Sequence, residues 1–89
     1  MTPKGDVVPE SAVFVADQVL DCTGLACPLP VVKTAQAIRS MPEGQVLELL
    51  STDPGVEPDM RAWTRRTGNP LIDIQKRGEV FHVLIARGK

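Results

Sequence analysis

The chain has 89 residues, 43% of them hydrophobic, which suits one small core and leaves no room for a second. Lysine plus arginine number 10 against 11 aspartate plus glutamate, a net charge of −1, so the broad basic surface of a nucleic-acid-binding domain is missing. Two cysteines are too few to staple a secreted scaffold, no apolar run is long enough to cross a bilayer, and no secretory signal pattern opens the chain, so a reduced, cytoplasmic protein is expected.

Residues 1–17 carry Pro3, Gly5, Asp6, Pro9 and Ser11, the composition of a flexible N-terminal tail, with a short apolar stretch at Ala12 to Val15. The domain proper is expected over residues 18–89. Gln18 to Cys22 alternates as a first strand, with Leu20 and Cys22 on one face and Val19 and Asp21 on the other. Thr23 and Gly24 break it. A helix follows from Pro28 or Pro30 to Ser40 or Met41, with Val31, Ala35 and Ile38 on one side, and Pro42 and Gly44 end it. Gln45 to Ser51 is a second strand, facing the core through Leu47 and Leu49.

Thr52-Asp53-Pro54-Gly55 is a turn in which Thr52 or Asp53 is placed to cap the next helix. That helix spans Val56 to Thr67, its apolar face set by Val56, Met60, Trp63 and Thr67, and Gly68-Asn69-Pro70 stops it. Leu71 to Lys76 and Val80 to Ala86 are two further strands joined by a short hairpin loop at Arg77-Gly78-Glu79. The order β-α-β-α-β-β, with right-handed crossovers, predicts an α/β two-layer sandwich: a four-stranded mixed sheet with both helices on one face. The opposite sheet face would carry Val19, Val46, Leu50, Val80, His82 and Leu84. These are either scattered surface hydrophobes or a protein-docking surface.

One cysteine stands out by position. Cys27 lies where a coil enters a helix, next to Pro28 and Pro30, which fit a first helical turn because no N–H is needed there. Unpaired N–H groups and the positive end of the helix dipole are expected to make its thiol more acidic than a free one. Cys22, on the strand face of Leu20, is read as a small core residue, with a redox pairing to Cys27 as the alternative. Lys33 would either add positive field near Cys27 or sit in solvent.

The residues Leu20-Asp21, Gly24-Leu25 and Cys27-Pro28-Leu29-Pro30 resemble the signature of the TusA-like (SirA/TusA) sulfur carriers, Leu-Asp, two residues, Gly, two residues, Cys-Pro-x-Pro. Asp53-Pro54 and Thr67-Gly68-Asn69 also look like that family, and the likeness runs from about Gln18 to Lys89. The resemblance implies a sulfurtransferase that carries sulfane sulfur as a persulfide on the motif cysteine, here Cys27. A cysteine desulfurase or rhodanese-like donor would load it, and a downstream acceptor protein would unload it. The pathways it implies include tRNA 2-thiouridine synthesis, molybdenum-cofactor sulfur supply and dissimilatory sulfur oxidation.

The chemistry asks for little beyond a thiolate, which attacks the outer sulfur of the donor persulfide while the donor thiolate leaves. No cofactor and no metal site are expected, since two cysteines and the single His82 fall short of a closed ligand set. Trp63 belongs to a helix core face, and the Thr52–Gly55 turn lacks the glycine pattern of a phosphate loop. The competing reading is a non-catalytic regulatory or RNA-binding module. Against it stand the charge balance and the scarcity of aromatics, with Arg61, Arg65 and Arg66 as the main basic cluster. A thiol–disulfide enzyme would need a Cys-x-x-Cys pair, which is absent. A monomer acting through protein partners, with no direct contact to nucleic acid or membrane, is the expectation.

Overall fold

The computed structural model describes residues 16–88. The expected tail lies outside the described residues except for Ala16 and Asp17, and so does the apolar stretch at Ala12 to Val15. The elements run β1 (Gln18–Cys22), α1 (Leu29–Arg39), β2 (Val46–Ser51), α2 (Val56–Thr67), β3 (Leu71–Arg77) and β4 (Val80–Ala86). Strand order across the sheet is β1-β2-β4-β3. β1 and β2 are parallel, and β4 is antiparallel to both β2 and β3, so the sheet is mixed.

The inner sheet face follows the period of two. Leu47 and Leu49 of β2 and Val83 and Ile85 of β4 are fully buried, joined by Phe81. Ile38 and Met41 at the end of α1 and Val56, Met60 and Trp63 of α2 pack into the same cluster, so both helices cover one face. Burying this apolar set is the main force holding a domain of this size together. A register shift in β3 between Leu71 and Asp73 keeps both Leu71 and Ile74 packed against that core.

Two helical faces differ from expectation. The buried residues of α1 are Pro30, Thr34 and Ile38, one position round the wheel from the expected Val31 and Ala35, which are half-buried. Thr34 is fully enclosed. In α2 the fourth buried residue is Thr64, not the exposed Thr67. Both threonines turn their hydroxyls onto the preceding turn: Thr64 Oγ1 donates to the Met60 carbonyl at 2.8 Å and Thr67 Oγ1 to that of Trp63 at 2.8 Å. A hydroxyl satisfied by its own helix is inexpensive to bury.

The chain end is tied in. The Arg87 guanidinium donates from Nη1 to the carbonyls of Ile38, Arg39 and Met41 at 2.6, 3.1 and 3.0 Å, adding a charged donor to the carbonyls at and just past the end of α1. Gly88 passes so close to the Gly68 carbonyl that a Cβ would collide with backbone. Arg87→Ala is expected to cost about 1.5–3 kcal/mol, the range for hydrogen bonds to a charged group, measurable by urea unfolding. A loss under about 0.5 kcal/mol would contradict the capping role.

The outer sheet face carries the expected Val19, Val46, Leu50, Val80, His82 and Leu84, but polar side chains cross it. His82 Nδ1 meets Glu48 Oε2 at 2.9 Å, and Gln75 bridges Asp73 and Arg77 through bonds of 3.0 and 2.8 Å. Leu84 is only 9% exposed, while Val19 on the edge strand is 56% exposed.

Candidate active site at the head of the first helix

β1 and β2 are parallel neighbours, so the loops leaving their carboxyl ends lie side by side, the usual place for chemistry in α/β sheets. The first loop carries Cys27 and the second carries Asp53. Local polar contacts shape the first loop. Asp21 Oδ1 accepts from the Thr23 N–H at 3.0 Å and from its hydroxyl at 2.7 Å, and these bonds hold the Asp21 carboxyl below its usual range. Gly24 has φ +82°, open to a residue without Cβ, and its N–H donates to Thr52 Oγ1 at 2.9 Å, pinning the two loops together.

Leu29 N–H then bonds to the Ala26 carbonyl at 3.0 Å, Pro28 forms the N-cap and α1 begins. The Cys27–Pro28 peptide is cis. Cys27 thus sits immediately before the helix, and it is exposed, as its position in the sequence predicts. Cys22 is a free thiol too, but fully buried, and burial pushes its pKa up. No bridge joins the two.

The second loop does not cap as expected. Gly55 is the N-cap of α2 and has no side chain to accept from the first helical N–H groups. The Thr52 hydroxyl is taken by Gly24, and Asp53 offers Val56 N–H its backbone carbonyl at 3.0 Å. The Asp53 carboxylate turns toward Cys27 instead. Asp59, in the first turn of α2, completes the group: Cys27 Sγ donates to Asp59 Oδ2 at 2.9 Å. One donor or acceptor atom from each of Cys27, Asp53 and Asp59 falls within 4.8 Å of the others. The Sγ···Oδ2 contact points the thiol proton at the Asp59 carboxylate.

This geometry corrects the expected acidity. The Cys27 pKa is raised, first by the hydrogen bond to Asp59, then by partial desolvation and by the charges of Asp59 and Asp53. A helix end contributes about half a charge, whereas the Asp59 carboxyl is in hydrogen-bond contact with the sulfur and Asp53 lies within 4.8 Å, and these nearer groups win. The positive charge of Lys33 acts on Cys22. Asp59 went unseen in the sequence because an acidic residue in a first helical turn already has a reason to be there. Nothing local ties it to a cysteine 32 residues away. The pairing of parallel loops was the available signal.

Comparisons with known proteins agree with this architecture. The family model described as "Sulfurtransferase TusA" matches residues 18–87. The sulfur carrier protein TusA of Allochromatium vinosum is 42% identical over 71 residues, covering 80% of this chain and 93% of that one. An Aquifex aeolicus protein named as a sulfur carrier is 52% identical over 60 residues, 67% of this chain; the match spans 30% of that longer protein. The crystal structure of a SirA-like protein from Desulfitobacterium hafniense superposes with a TM-score of 0.70 at 23% identity, covering 81% of this chain and 99% of that one, and shares the fold. A sheet order, a cysteine at a helix head and a family model across nearly all the described residues converge: the chain belongs to the TusA family of sulfur carrier proteins.

Proposed function

We propose that the chain is a persulfide-relay sulfurtransferase in which Cys27 accepts sulfane sulfur from a donor protein and hands it to an acceptor protein. The observation that carries this reading is the exposed Cys27 sulfur at the head of α1, beside loops that follow two parallel strands. Attack by its thiolate on the outer sulfur of a donor persulfide makes one S–S bond and breaks another, with no change in overall oxidation. Among the described residues, two of the three large exposed hydrophobics, Leu29 and Val32 at 44% each, lie on the first turn of α1 next to Cys27 and support docking of a protein partner there.

The carrier acts as a single domain over residues 18–89 and as a monomer. Both cysteines are free thiols, in keeping with a reducing, cytoplasmic setting. It serves a pathway that consumes protein-bound sulfur, tRNA 2-thiouridine synthesis or dissimilatory sulfur oxidation. Incubation with glutathione persulfide is expected to add one sulfur atom to the intact protein, and excess thiol is expected to remove it as sulfide. A mass that does not change would contradict the proposal.

A further inference from the structure

The bond from Cys27 Sγ to Asp59 Oδ2 links the entrances of two helices. Among the described residues the ion pairs are Arg61–Glu57 and His82–Glu48, and neither involves Asp59. Asp53 stands in the same group, and its Oδ2 is buried with no hydrogen-bond partner. An ionised carboxylate without a cation is a strong acceptor, and the thiol proton is what it receives.

We infer that Asp59 is a positioning residue for the sulfur: its carboxylate keeps the proton on Cys27 and fixes the direction of the thiol while the carrier is empty, and sulfur loading breaks that hold. This rests on the persulfide reading above. In loading, the Cys27 S–H bond gives way to an S–S bond, the S–S bond of the donor breaks, and the departing donor thiolate takes up the released proton. The sulfane sulfur moves with no net oxidation or reduction. Sγ then carries no proton. Two atoms bearing lone pairs at 2.9 Å with nothing between them repel, so Asp59 and Sγ must separate, or the carboxylate must turn to the proton on the outer sulfur. Empty and loaded carriers therefore differ where α1 and α2 begin, beside exposed Leu29 and Val32. The raised thiol pKa has the same origin, with the Asp59 hydrogen bond as its largest cause.

The test is the pH dependence of Cys27 alkylation by iodoacetamide in the full chain, with Cys22 resolved by peptide mass spectrometry. Asp59→Asn is expected to lower the Cys27 midpoint by about one unit, which raises the thiolate fraction at pH 7 about tenfold and speeds alkylation about three- to fourfold. Asp59→Glu should return the midpoint toward the wild-type value, and Asp53→Asn, which removes charge but not the hydrogen bond, should shift it less. Buried Cys22 serves as the folding control, since it stays unreactive in any variant that keeps the core closed. A midpoint in Asp59→Asn equal to or above that of wild type overturns the inference. So does a wild-type midpoint at or below about 8.5, the free-cysteine value, whatever the variants do. Either result leaves the persulfide reading standing if Cys27 still takes up sulfur. Loss of uptake with the Asp59 effect intact overturns that reading instead.

Discussion

Cys27→Ser is expected to abolish sulfur loading, while Cys22→Ala loads as the wild type does. A persulfide needs a sulfur atom to anchor the second one, and a serine hydroxyl is too weakly acidic and forms no stable bond to sulfane sulfur. The two cysteines differ in access as well as chemistry. Cys27 is exposed ahead of α1, whereas Cys22 is fully buried at the end of β1, opposite Ser51. A protein donor cannot bring its persulfide to Cys22 without opening the core. Cys27 touches solvent and one carboxylate, so its replacement by serine should leave the melting temperature within about 4 °C of wild type, consistent with a surface change of under about 0.5 kcal/mol. Intact mass after exposure to glutathione persulfide reads the result. Loading by Cys27→Ser, or its loss in a folded Cys22→Ala, would reverse the assignment.

Leu49→Ala is expected to cost about 2–5 kcal/mol, a large share of the roughly 5–15 kcal/mol that keeps a domain folded. Leu49 is fully buried in the middle strand pair, opposite Leu20 of β1 and Val83 of β4. Removing three carbons there leaves a hole that neither neighbour strand can close without breaking the ladder. Leu49→Met keeps the volume and should cost under about 1.5 kcal/mol. Denaturant unfolding of the pair measures both, and a loss below about 1 kcal/mol for the alanine variant would mean that β2 is not the centre of the core.

What the sequence made legible was whatever local pattern alone dictates. Val56–Thr67 and Val80–Ala86 match the expected spans because a glycine turn opens one and a tight hairpin the other. The inner face of β2 was readable because alternation admits one choice once Leu47 and Leu49 are both apolar. Thr34 was not readable. Its place in α1 is set by how the helix rolls onto the sheet, and a threonine between Lys33 and Ala35 gives no hydrophobic signal. Arg87 carries no local pattern that ties it to a helix, yet it bonds to the end of α1 from 46 to 49 positions away. The site divides the same way. Cys27 is announced by its prolines and its glycine, while Asp59 is brought to it only by the tertiary fold.

The destination of the transferred sulfur decides the role of Cys27. Wild-type protein treated with glutathione persulfide, digested without reductant and mapped by mass spectrometry, should carry one added sulfur on the peptide containing Cys27 and none on Cys22. Added sulfur on Cys22, or on neither cysteine, would contradict that role.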